Sequence, residues 1–271
     1  MNANILSLEL RNLRKGAVAG TASIGCVLYA LLAFFPAMQS ESMRSLAGAK
    51  LEGLPPAVLA AFGLSGIIDF SVITVFFGYV VQYIALAIMV LATQQAVALL
   101  IKEETDGTIE FLCAKPVSRG EIFAQKALAH LAVFFGMCAV HWAVTVAGYL
   151  SFGGYALGAA MREAFLFFSA IFFVGLLFSS VGLLLSTLVR SSRGVSGVTI
   201  AIVFGTFILG VLSAVIERLR FLAWLSPMDW IKTDKLMAEG IRPEEWIVGC
   251  AVIAGCSLAA WLRYRKKDLL V

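Results

Sequence analysis

Two histidines, His130 and His141, lie eleven residues apart in one long apolar run, and Gln82, Gln94 and Gln95 lie in another. On a helix turning about 100° per residue, His141 returns to within about 20° of the face of His130, roughly 16 Å further along the axis. Polar side chains inside an apolar segment line a substrate path, relay protons or hydrogen-bond a neighbouring helix. Gln82, Gln94, His130 and His141 are therefore the candidate path-lining residues, with plain helix-to-helix hydrogen bonding as the alternative. A second group, Glu103, Glu104, Asp106 and Glu110, gathers acidic charge in one polar stretch suited to meeting a basic partner. Catalytic spacings are missing. Neither histidine belongs to HExxH, and the chain has no GxSxG and no GxxxxGK[ST] phosphate loop.

These residues need long apolar elements to hold them. The chain is 61% hydrophobic and 14% charged, against about 25% charged in soluble domains, and this describes an integral membrane protein. Its 271 residues suffice for several spans of about 20 residues each. The net charge of +4 is spread beside apolar segments and does not suggest nucleic acid. Cys26, Cys138, Cys250 and Cys256 sit in apolar runs and Cys113 in the polar stretch, with no CxxC pair. No disulfide framework or metal site is expected. Glu9 and Arg11 interrupt the N-terminal segment, which is expected to stay in the protein rather than act as a cleaved signal.

The polar stretch, residues 102–126, reads KEETDGTIEFLCAKPVSRGEIFAQK. An acidic turn and Gly107-Thr108 lead into a short amphipathic piece, Ile109-Glu110-Phe111-Leu112. Pro116 ends that piece. Ser118, with Glu121 three residues on, has capping-box spacing and predicts the start of the next helix. The segment is thus a structured elbow between two apolar helices. It resembles the loop between the second and third transmembrane helices of ABC-2 type transporter permeases. The residues that carry the likeness are Glu103, Glu104, Gly107, Thr108, Glu110, Pro116, Ser118, Arg119 and Lys126.

Around the elbow, residues 5–15 mix Leu and Ile with charge and predict an amphipathic helix in the membrane interface. Spans are predicted at about 16–40, 69–101, 127–151, 164–189, 195–216 and 246–262. Gly16 and Gly20 have the spacing that permits close helix contact. The second apolar run corresponds to about 50 Å of helix and exceeds the roughly 30 Å hydrocarbon core, so it should tilt or project beyond the headgroups. Thirteen of the 21 Lys and Arg residues fall in the N-terminal segment, the elbow, the turn at 190–194 and the tail. The positive-inside rule then places both termini and the elbow in the cytoplasm.

The expected fold is an all-α polytopic membrane protein of six transmembrane helices, forming one domain over residues 1–271. The ABC-2 resemblance extends to Ser226-Pro227 before the sixth span and to the basic tail Arg265-Lys266-Lys267-Asp268-Leu269. It implies a bacterial inner-membrane permease, usually an exporter, working as a dimer with a second copy or a homologous chain. It also implies that the elbow is a coupling helix docked on a cytoplasmic ATP-binding subunit. Glu103, Glu104, Asp106, Gly107, Thr108, Glu110, Phe111 and Leu112 would then form the docking surface. No cofactor of the chain's own is expected, ATP being used by the partner. An ion-driven secondary transporter and a noncatalytic membrane anchor are the alternatives; against the former, no inverted repeat or matched pair of broken spans is visible.

Overall fold

The computed structural model describes residues 3–45, 53, 55–61, 69–107, 117–189 and 194–267, excepting the side chains of 3, 4, 60, 61 and 104. The chain is all helix and turn over these residues. Among the described residues, six helices are long and apolar enough to cross a membrane: α1 Ala3–Leu32, α2 Ile73–Thr105, α3 Arg119–Phe152, α4 Leu157–Leu188, α5 Val195–Val215 and α6 Pro243–Lys266. In lipid the backbone must satisfy its own hydrogen bonds, and uncharged runs of this length do so as helices. The protein is a multi-pass membrane protein.

Helices α2 and α4 form the centre, with 72% and 67% of their apolar stretches buried, against 22% for α5 and 17% for α6. They pack closely on each other. A Cβ added at Gly182 of α4 would lie 2.9 Å from the carbonyl oxygen of Thr93 and 2.9 Å from the Cβ of Ala96, both on α2. Small residues at this crossing let the two backbones approach. Helix α1 packs chiefly on α3, and α6 on α4.

Several boundaries lie beyond those predicted. The stretch 5–15 is not a helix of its own but the first turns of α1, continuous with the span. Helix α3 starts eight residues before residue 127, and α4 starts seven before residue 164. Charged residues marked the predicted ends, yet Arg119, Glu121 and Arg162 are helical: a helix continues past the apolar slab wherever its backbone bonds continue. The first span, predicted unbroken to residue 40, breaks after Leu32 and resumes at Phe35–Met38. Pro36 lacks the N–H that would bond the carbonyl of Leu32. Gly16 has open space around it, while Gly20 sits against the side chain of Leu91 on α2.

The far end of the bundle is capped by the chain between α5 and α6: 3-10 turns Glu217–Leu225 and Pro227–Ile231, then helix Thr233–Glu239. Trp230 is buried and stacks on Phe173 of α4, ring centroids 6.4 Å apart. Asp229 is buried beneath the turn and forms ion pairs with Lys232 and Lys235. Burial pushes its carboxyl up, but the two lysines outweigh that and hold it below the usual 3.8. A depressed carboxylate stabilises the fold above its unfolded value and loses that contribution as pH falls through its folded value. Asp229→Asn is therefore expected to cost about 2 kcal/mol at pH 7. The gap between variant and wild-type melting curves should persist down to about pH 3.8 and close below it. A gap that closes at pH 5 would refute the pairing.

Candidate coupling site at the elbow end of the bundle

Helix α2 ends at Thr105, where the Asp106 N–H donates to the Lys102 carbonyl at 2.8 Å. Gly107 follows with φ +66°, a left-handed turn that glycine makes without Cβ strain. The chain re-enters the described region at Val117, and α3 begins with the capping box expected there. The Ser118 hydroxyl accepts from the Glu121 N–H at 3.3 Å, and Glu121 Oε2 accepts from the Ser118 N–H at 3.1 Å. Both flanks of the elbow are thus ordered helix ends. Thr108, Glu110, Phe111, Leu112 and Pro116 lie outside the described residues, as does the side chain of Glu104. Asp106 and Gly107 are exposed.

Seven residues into α3, Lys126 is completely buried. Its ammonium donates to Glu103 Oε1 of α2 at 2.5 Å, to Glu9 Oε1 of α1 at 2.8 Å and to the Leu99 carbonyl of α2 at 2.9 Å. An ammonium has three N–H donors, and all three are used. A buried charge is tolerable only when paired and hydrogen-bonded, and this one ties three helices to a single point. Glu103, grouped by sequence with the docking acids, thus faces inward, its side chain 13% exposed.

An apolar cluster surrounds the pin. Ile5 of α1, Leu99 and Leu100 of α2, Ile122 and Phe123 of α3 and Tyr264 of α6 are buried together. The Arg119 guanidinium donates to the Lys267 carbonyl at 2.6 Å, closing the end of α6 onto the start of α3. Arg265 lies 4.7 Å from the centroid of the Trp261 ring, a cation–π contact. Displacing the elbow would therefore move α1, α2, α3 and α6 with it.

Glu9 and Lys126 escaped the sequence reading as a pair. A signal existed, since Glu9 is the sole acid in residues 1–40 and Lys126 the sole Lys or Arg between Arg119 and Arg162. Nothing in the spacing, however, says that residues 117 apart meet.

The four candidate path residues are not gathered around one lining. His130 is buried with Nε2 2.9 Å from Ser179 Oγ of α4, its ring stacked on Phe134. His141 is buried with Nδ1 2.7 Å from the Met137 carbonyl one turn earlier. Gln94 donates to Ser196 Oγ of α5 at 2.8 Å, and Gln82 is buried higher on α2. His130 and Gln94 thus bond neighbouring helices, whereas His141 bonds its own.

A family model described as ABC-2 family transporter protein matches residues 3–269. The chain belongs to this family. It is a membrane permease subunit of an ABC transporter, and the match covers the pin, the elbow and the basic tail alike. No curated protein matched the chain. The Lys126 pin and the Arg119 bond tie four of its helices together at the elbow end.

Proposed function

We propose that this permease exports its substrate from the bacterial cytoplasm, driven by ATP hydrolysed on a separate subunit that docks at residues 102–112. The observation that carries the reading is the Lys126 pin. A docked helix passes on rigid-body motion only if it is joined firmly to the spans that must move. Glu103 and Lys126, with Glu9, join the elbow to α1, α2 and α3, and Arg119 joins it to α6. Glu104, Asp106, Gly107, Thr108, Glu110, Phe111 and Leu112 form the contact, with acids meeting basic groups of the ATPase and Phe111 and Leu112 filling its groove. Glu103 acts through Lys126 as a positioning residue. Both termini and the elbow are cytoplasmic, in keeping with the basic residues at this end, and the working unit holds two permease chains, the usual closed symmetry of a half-transporter. Gln82, Gln94, His130 and His141 supply the polar side chains along the substrate path, His130 and Gln94 also bonding neighbouring helices.

The test is co-purification of the tagged permease with its ATP-binding subunit in mild detergent, at matched membrane levels. Asp106→Lys with Glu104→Lys is expected to lower the recovered ATPase at least tenfold, reversing two charges at one contact, while the permease elutes as before. Undiminished recovery would place docking elsewhere on the bundle.

A further inference from the structure

Besides the coupling site, the elbow half of the molecule carries an open apolar groove of about 530 Å³ between α1 and α3. It runs along α1 from Leu10 to Ala22, about 18 Å at 1.5 Å per residue, comparable to one leaflet of a hydrocarbon core about 30 Å thick. Small side chains leave it open. Ala17 lies in its floor, and Gly136 of α3 faces space in which a Cβ would meet nothing within 4 Å. Arg14 lines the same groove. Helical side chains tilt toward the N-terminus, so its guanidinium reaches back toward the elbow end, with its stem along the apolar wall.

The charge around Arg14 is one-sided. Arg11, Arg14 and Lys15 are exposed, and none belongs to an ion pair among the described residues. The one acid of α1, Glu9, is withdrawn into the fold on Lys126. Arg14 thus stands at the apolar groove, with Arg11 and Lys15 exposed close by on the same helix and no acid of that helix left to neutralise them. A second protein helix laid here would have to desolvate that charge, which is costly without acidic partners. A lipid phosphate neutralises it, and its chain fills the groove.

We propose that the α1–α3 groove seats one acyl chain of an anionic phospholipid, whose phosphate is held by Arg14 with Arg11 and Lys15 beside it. The site belongs to the bundle itself and does not depend on which way, or whether, the permease pumps. Anionic headgroups gain from each basic side chain near the membrane surface.

Native mass spectrometry of the purified full-length chain, titrated with phosphatidylglycerol or with phosphatidylcholine of the same chains, tests it. The wild type is expected to bind phosphatidylglycerol at least about fivefold more tightly, the gain of one basic side chain beside a net-anionic headgroup whose charge the choline of phosphatidylcholine would cancel. Arg14→Gln should abolish that preference and Arg14→Lys retain most of it, while Gly136→Leu should weaken binding of both lipids by occupying the groove. Equal binding of the two lipids by the wild type would overturn the proposal, as would a preference undiminished in Arg14→Gln. The proposal also falls if Gly136→Leu changes the number of chains per particle and leaves bound lipid unchanged, because the groove would then seat a second copy. Should Gly136→Leu fail to fold, the contrast between Arg14→Gln and Arg14→Lys still decides.

Discussion

Lys126→Met is expected to destabilise the permease by about 3–5 kcal/mol, the cost of breaking a buried ion pair. The loss exceeds that of one hydrogen bond because two carboxylates are left behind. Glu103 and Glu9 both point at the missing ammonium, so removing it leaves like charges facing each other inside the fold. The Leu99 carbonyl loses the ammonium as a second donor as well. In practice the variant should show a sharply lowered melting midpoint in detergent and a smaller monodisperse fraction on size exclusion. The triple replacement Glu9→Gln, Lys126→Met, Glu103→Gln removes charge altogether and is expected to recover most of the stability, since uncharged side chains of similar size often replace buried ions without loss. If Lys126→Met melts like the wild type, the triad does not exist as described. The recovered triple variant then separates folding from coupling. It should keep its fold and bind the ATPase, yet show weaker stimulation of ATP hydrolysis by substrate, because an uncharged contact fixes the angle between α1, α2 and α3 less tightly than a saturated ammonium.

The second large effect lies at the crossing of the two central helices. Gly182→Leu is expected to cost more than about 3 kcal/mol, above the usual range for overpacking, because the added side chain would press on the α2 backbone at Thr93 rather than on a side chain able to rotate away. Gly182→Ala should cost about 1–2 kcal/mol, as the Ala96 methyl group and the Thr93 carbonyl have little room to retreat. Gly197 on α5 supplies the contrast, because a Cβ there meets nothing within 4 Å. Gly197→Leu should be neutral or stabilise slightly, since leucine favours a helix more than glycine does. Melting the three variants beside the wild type is enough. Similar midpoints for Gly182→Leu and Gly197→Leu would mean that α2 and α4 do not touch at this level.

Six helices and a capping box were legible because each depends on neighbours in sequence. Apolar runs longer than a bilayer must bond their own backbone, and Ser118 and Glu121 meet across three residues whatever the rest of the chain does. Helix ends were less legible. Charge marks where lipid stops, whereas a helix stops where its hydrogen bonds do, and so α3, α4 and α6 all overrun their predicted limits. Pro36, by contrast, sat in plain view within a span predicted as unbroken.

The candidate site divides in the same way. That an acidic elbow joins two spans could be read from order and composition, and with it the family. That Glu103 faces inward could not. Glu103 and Glu104 are adjacent and chemically alike, and only the meeting of α1, α2 and α3 turns Glu103 in to Lys126, 23 residues away, together with Glu9, 117 residues away. The same holds for the α1–α3 groove, where Arg14 is exposed and Glu9 buried five residues apart on one helix. Local sequence sets which residues a helix can present; the packing of one helix on another sets the dielectric around each charge, and hence which charges pair inside and which remain for a partner or a lipid.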